Sequence, residues 1–159
     1  MADSTTKTWD NYTFDKVCTI LVERDSAGGV REFMPQAQYR NRNGLPLNRY
    51  GHGPFCRFRI PSDQRFEGVY VLTIDRQVMY IGECIDLSSR YNSGYGTISP
   101  RNCFSGGQQT NCRINNLIYN AAKAEQSIEL WFRRTANRKA IEFELISTLR
   151  PKWNRQSMV

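Results

Sequence analysis

Apolar side chains come in short runs along this chain, each closed by polar or glycine-rich sequence, and their spacing predicts a mixed α and β fold. Residues 17–22 (VCTILV) read as a strand, because a brief run with β-branched members suits a pleated surface. The polar stretch 1–14 before it shows no such pattern and is expected to be loose. Ser26-Ala27-Gly28-Gly29 marks a turn. Residues 36–54 are poor in apolar side chains and rich in Arg, Asn, Gly and Tyr, so they read as an irregular basic segment. In 55–60 (FCRFRI) apolar and basic residues alternate, which predicts a strand with one exposed face. Residues 68–74 and 78–84 pair as a β-hairpin. Asp86 is placed to cap a short helix reaching about residue 92, and a loop containing several glycines fills 93–111. Ile114, Leu117, Ile118, Ala121 and Ala122 recur at helical spacing, giving a helix over 113–125. A third strand follows at 128–133 (IELWFR), and Asn137 opens a last helix that ends near Leu149, ahead of Pro151. From residue 68 on, the order is strand, strand, helix, helix, strand, helix. That is an α+β arrangement, a small antiparallel sheet with helices packed on it.

Two positions stand out against this pattern. A three-residue turn at 75–77 would pair Ile74 with Val78, hence Leu72 with Tyr80 and Tyr70 with Gly82. Tyr70 and Tyr80 would then share a face as diagonal neighbours, roughly 7–8 Å apart. Gly82 opposite Tyr70 would leave room for a substrate backbone. A two-residue turn would put the tyrosines on opposite faces. The second position is Glu142. With about 100° of rotation per residue, Leu145, Ile146 and Leu149 lie within about 60° of it, while Glu144 points away. A carboxylate centred on an apolar stripe needs a cation, because burying an unpaired charge is costly. A metal ion is one candidate, and an ion pair with Arg138 or Arg90 is the other.

With 159 residues the chain has enough length for one domain with its own core, or for a core and an arm. Its formal net charge is +7, and 17 of the 22 basic residues are Arg. Arg grips phosphate with a planar fork, so the surplus favours nucleic acid as a partner, against a merely solvated basic surface. No apolar run is long enough to span a bilayer, and no apolar leader follows Met1, so a cytoplasmic protein is expected. The five cysteines lack any C-x-x-C spacing, and His52 is the single histidine. Reduced, mostly buried thiols fit this better than a zinc site.

The ordered set GVY at 68–70, YIG at 80–82, Arg90 and EFELISTLRPKWN at 142–154 resembles the GIY-YIG nuclease superfamily over residues 67 to 155. The resemblance implies a small three-stranded antiparallel sheet flanked by helices at 67–159, with residues 1–66 as an N-terminal extension expected to contact DNA. It implies phosphodiester hydrolysis with one divalent ion, Mg2+ or Mn2+, per active site. Glu142 is then the metal ligand, Arg90 a phosphate contact, and Asn154 a residue that orients water or a tyrosine hydroxyl. One tyrosine activates the attacking water. Tyr70 is favoured with Tyr80 as its helper, though the roles are interchangeable. A free phenol titrates near 10, so such a base needs cations beside it. Two positions depart from the family pattern. Glu83 stands where many members have Lys or Arg after YIG. Gly94 stands where many have His or Tyr, with Tyr95 next to it as a substitute.

Substrate reading is assigned to two segments. Residues 101–113 (RNCFSGGQQTNCR) bring Arg101, Gln108, Gln109, Asn111 and Arg113 to the start of a helix, a combination suited to base edges and phosphates. Arg40, Arg42, Arg49, Arg57 and Arg59 are assigned mainly to phosphates, the commonest targets of protein–DNA hydrogen bonds. The expected function is a site-specific double-strand DNA endonuclease of restriction type. A repair or homing nuclease that nicks, and a catalytically idle DNA-binding module, are the alternatives. Cutting both strands with one site per chain requires a homodimer on DNA or sequential nicking.

Overall fold

The computed structural model describes residues 5–155. They form two compact units, each assembled from separate stretches of chain. The first takes residues up to Ile20, then Ile60–Ser88 and Ser127 onward. The second takes Leu21–Arg59 and Ser89–Gln126.

The first unit is built on five strands: β1 (Thr6–Trp9), β2 (Tyr12–Thr19), β3 (Gly68–Ile74), β4 (Gln77–Cys84) and β5 (Ile128–Arg134). They lie in the order β1-β2-β5-β3-β4, and every pairing is antiparallel. The sheet therefore has five strands, not three. β1 lies wholly in the stretch expected to be loose, and β2 begins in it and ends in the run read as a strand; both expose one face and read as polar (TKTW, and YTFDKVCT with the pattern ieBeiiie). Their backbone donors and acceptors are met by pairing with each other and with β5, which periodicity alone does not reveal. The run 17–22 leaves the strand at Thr19, two residues after a bulge near Val17.

β3 is buried along its whole length, as its apolar sequence GVYVLTI demands of a strand covered on both faces. The hairpin turn is Asp75-Arg76, two residues long, with φ of +47° and +69° at the two positions. That is the left-handed pair required by a two-residue hairpin whose twist matches its strands. A bulge at Met79 then inserts one residue, so Leu72 still faces Tyr80 and Tyr70 still faces Gly82. The expected pairing of both tyrosines holds, whereas Ile74 pairs with Gln77 and not with Val78, and the turn is shorter than expected.

α1 (Leu87–Arg90) leaves the hairpin, and α3 (Arg138–Leu149) closes the unit. α3 lays Ile141 and Leu145 on Phe14, Val69, Val71, Ile81 and Trp131. It stops at Arg150, whose left-handed backbone (φ +46°) returns its N–H to the Ile146 carbonyl, and Pro151 bars continuation.

In the second unit, α2 (Gln109–Lys123) starts four residues earlier than its apolar spacing indicated. Residues 55–60 bury Phe55, Phe58 and Ile60 and expose Arg57 and Arg59, as the alternation predicts. They form a single bridge, Phe33 with Phe55, in place of a strand. The chain after α1 runs through one wide helical turn, Tyr91–Tyr95. Asn115, fully buried on α2, bonds both backbone groups of Cys56 and the Tyr95 carbonyl. All five cysteines are free thiols, and Cys56, Cys84, Cys103 and Cys112 are buried. Among the described residues no helix is long and apolar enough to cross a membrane.

Candidate active site

The hairpin puts Tyr70 and Tyr80 on one face of the sheet, with ring centroids 6.2 Å apart and ring planes at 47°. Tyr70 is buried and its phenol lies across Gly82. A Cβ built at Gly82 would overlap the Tyr70 Cζ and hydroxyl and come within 2.8 Å of Cε2. The space over Gly82 is thus filled by the Tyr70 ring, not left open for substrate. Gly68, in the first signature, does the same for Phe132.

Glu142 sits on the inward side of α3, half-buried, and its carboxylate accepts the Glu83 backbone N–H. Burial, then the negative charge of Glu83, push its pKa up, while that hydrogen bond and Arg138 pull it down. No cation forms an ion pair with it among the described residues. Arg138, the partner considered from sequence, is taken by Glu83 and by Glu67 at 3.3 Å. Glu83, the departure from the family pattern, therefore carries its own compensating guanidinium on α3.

β4 is an edge strand, so its outward backbone groups need partners. Asn154 supplies two of them. Its Nδ2 donates to the Ile81 carbonyl at 2.7 Å, and its Oδ1 accepts the Ile81 N–H at 2.8 Å. The Trp153 N–H donates to the carbonyl of the bulged Met79. The Asn154 amide is thus spent on the strand edge rather than turned toward a tyrosine hydroxyl. β4 thus carries Tyr80 and, over residue 82, the Tyr70 phenol on one face, while the Glu142 carboxylate meets the N–H of residue 83 from α3, which packs on the opposite face.

The other expected residues belong to the second unit. Arg90 donates to the Tyr95 hydroxyl at 2.8 Å, stacks 4.4 Å over its ring and reaches Asn111 at 3.5 Å. Asn111 in turn bonds Gln108. The arginine motif, the aromatic beside Gly94 and the start of α2 are therefore one cluster. Arg101 is exposed and folds onto the Ser105 carbonyl. Arg40, Arg42, Arg49, Arg59, Gln108 and Gln109 are exposed, and Arg113 is half-buried. Arg57 is exposed and stacks 4.0 Å over the Phe33 ring.

A mutant of bacteriophage T4 EndoII aligns with this chain at 20% identity with a TM-score of 0.48, over 70% of this chain and 87% of that one. No protein-family model and no curated relative matches the chain.

The donor set suits one hard divalent ion. Glu142 is a desolvated carboxylate without a cation, and a second carboxylate, Glu83, raises the negative potential beside it. No group of three or more His, Cys, Asp or Glu that could hold an ion occurs among the described residues, so an ion bound here would keep most of its waters. Sequence reasoning passed over Arg138 as a partner for Glu83, and over Asn115. Asn115 carried the same signal as Glu142, a polar side chain on the buried stripe of a helix.

Proposed function

We propose that the protein is a metal-dependent DNA endonuclease that hydrolyses phosphodiester bonds, with Tyr70, Tyr80 and Glu142 at its reacting centre. The observation that carries this reading is the convergence on β4. A buried phenol crosses residue 82, and an unpaired, desolvated carboxylate binds the N–H of residue 83. A structural role leaves that carboxylate without a reason to be there, since an apolar residue would spare its desolvation cost.

In this reading Glu142 would hold one Mg2+ or Mn2+, which would supply Lewis-acid polarisation of the phosphate and charge neutralisation at the leaving group. The Tyr70 hydroxyl oxygen, as phenolate, takes a proton from the attacking water, and Tyr80 orients it. The two tyrosines are interchangeable in these roles. Gly82 fixes the position of the Tyr70 ring by offering it a surface without a Cβ. Arg90, stacked on Tyr95, is assigned to a phosphate oxygen. Asn154 is a positioning residue that holds the edge of β4. Duplex recognition is assigned to the exposed Arg101, Gln108 and Gln109, with Arg40, Arg42 and Arg57 on the backbone. That division suits site-specific cutting of restriction type.

Supercoiled plasmid incubated with Mg2+, with and without chelator, tests the proposal. Metal-dependent cutting is expected in the wild type, with at least a 100-fold loss in Glu142→Ala and a comparable loss in Tyr70→Phe or Tyr80→Phe. Wild-type rates in all three variants, or cutting that survives chelator, overturn it. Discrete bands indicate restriction, nicked circles a nicking enzyme, and a gel shift without cutting an idle binding module.

A further inference from the structure

Cys103 and Cys112 take no part in the proposed reaction, and the fold of the second unit brings them together. Cys103 ends a single helical turn, Pro100–Cys103, and Cys112 sits in the first turn of α2. Both are fully buried, in one cluster with Phe55, Ile98 and Phe104. The Cys112 thiol donates at 3.3 Å to the Asn102 carbonyl, part of the peptide group that joins Asn102 to Cys103. The two thiols are also hydrogen-bonded to each other. The main chain around Cys103 is tied down. The Asn48 N–H donates to the Cys103 carbonyl at 2.8 Å, and the Asn48 Nδ2 to the Asn102 carbonyl at 2.6 Å. The Gln108 N–H donates to the Asn102 Oδ1 at 3.2 Å. Sulfurs already in contact need only a small side-chain movement to reach the S–S length of about 2.05 Å.

The pair differs chemically from two of the other thiols. Burial pushes Cys18 up to about 11 and Cys56 up to about 12, which keeps both protonated and poorly reactive. At Cys103 the hydrogen bond from Cys112 outweighs burial and draws the pKa below its ordinary value. The same bond, then burial, raises the pKa of Cys112. One partner thus supplies a thiolate while the other keeps its proton. The chain between them at residues 105–108 is irregular and mostly exposed, so a local opening there admits an oxidant little larger than water.

We propose that Cys103 and Cys112 form a reversible oxidation site, converted by hydrogen peroxide into an intramolecular disulfide. The Cys103 thiolate attacks a peroxide oxygen, the O–O bond breaks, and hydroxide leaves as Cys103 becomes a sulfenic acid. The Cys112 sulfur then attacks the Cys103 sulfur, the S–O bond breaks, and water leaves with the Cys112 proton. The proton given up by Cys103 neutralises the hydroxide, so a dithiol and one peroxide yield a disulfide and two waters. The new bond closes a ring over residues 103–112 and staples the start of α2 to the turn before it. The site stands independently of the nuclease reading.

Titration of the reduced chain with hydrogen peroxide tests the site. Catalase stops the reaction, free thiols are alkylated in denaturant, and tryptic peptides are read by mass spectrometry. Cleavage after Arg101 and Arg113 leaves both cysteines in one peptide, residues 102–113, with no third cysteine. That peptide is expected to escape alkylation and to lose two hydrogens at peroxide doses that leave Cys18 and Cys56 alkylated. Dithiothreitol should restore it, and the preference should vanish in urea. In Cys112→Ala the sulfenic acid should persist at Cys103 and be trapped by dimedone. A peptide that stays doubly alkylated while Cys18 or Cys56 oxidises overturns the proposal, as does sulfinic or sulfonic acid at Cys103 with no cross-link. An equal preference in urea overturns it too, because proximity in sequence would then suffice without the fold. These readouts use the wild type and hold even where the variant fails to fold.

Discussion

Replacing Gly82 with alanine tests the tie between the signature glycine and the reacting phenol. No positive φ is required at Gly82, so backbone strain contributes nothing and the new methyl acts through contact alone. Its Cβ would overlap the Cζ and hydroxyl of Tyr70, whose ring is packed in the core with 1% of its surface exposed. The ring cannot swing into solvent without losing that burial. Overpacking of this kind costs about 1–3 kcal/mol, and the lower chain entropy of alanine in the unfolded state returns about 0.4–1 kcal/mol. The net destabilisation is about 1–2 kcal/mol, or about 2–8 °C in Tm for a chain of this length. A displacement of about 1 Å at the phenol costs about 100-fold in plasmid cutting. Urea denaturation of Gly82→Ala, Tyr70→Ala and the double variant isolates the contact. The cost of the alanine should disappear when Tyr70 is already truncated, a coupling of about 1–2 kcal/mol. An equal cost in both backgrounds, or wild-type cutting by Gly82→Ala, refutes the reasoning. Gly68→Ala provides the contrast, because its Cβ would meet the Arg133 carbonyl as well as the Phe132 ring, and a backbone atom cannot give way by a rotamer change.

Glu142→Gln should stop cutting yet stabilise the apoprotein at neutral pH. Burial and Glu83 raise the folded-state pKa of Glu142 above its unfolded value, so its charged form costs stability, and that cost grows as pH rises from about 4.3. Urea melts in chelator should show the variant ahead at pH 7 and level with the wild type at pH 4; a less stable variant at pH 7 refutes this. Asn154→Ala removes two hydrogen bonds to Ile81 and should cost about 1–3 kcal/mol, read as faster amide exchange at Ile81. Unchanged protection there would rule out the edge-clamp role. Arg76→Gly relieves a left-handed residue at φ +69° in the hairpin turn and should add up to about 1 kcal/mol of stability, checked by thermal melt. Arg138→Met leaves Glu83 beside Glu142 without a guanidinium, so Tm should fall, and Glu83→Gln in that background should restore part of the loss.

Much of the local structure around the candidate residues could be read from the sequence because its signals are local. The hairpin, the helical stripe holding Glu142 and the stop at Pro151 each depend on residues within one or two elements. The tyrosine register came out right through two deviations that cancel. The turn is one residue shorter than expected, and a bulge at Met79 returns that residue to the ladder. No period-2 count detects a bulge, since the inserted residue is an ordinary methionine. β1 and the first part of β2, before the run read as a strand at 17–22, escaped notice for another reason. Their polar faces hide a strand whose stability comes from pairing with β5, more than 100 positions away in the chain. The reverse error occurred at 55–60, where a valid alternation of burial has no ladder to join.

The edge of β4 unites these observations. An edge strand presents alternate backbone groups outward, and here they belong to Met79, Ile81 and Glu83. The bulge sets that phase, because without its extra residue Ile81 and Glu83 would turn to the other side of the ladder relative to Tyr70. All three receive partners from the last 20 residues of the chain: Trp153, Asn154 and Glu142. The first two partners are neutral and satisfy the edge at little cost. The third is a half-buried carboxylate beside another carboxylate, a poor choice for closing a strand. A glutamine would serve the N–H as well and avoid the repulsion. In the nuclease reading proposed above the retained charge is assigned to a divalent ion, and the bulge, the αL stop at Arg150 and the Asn154 clamp set the phase of the β4 edge that the carboxylate meets.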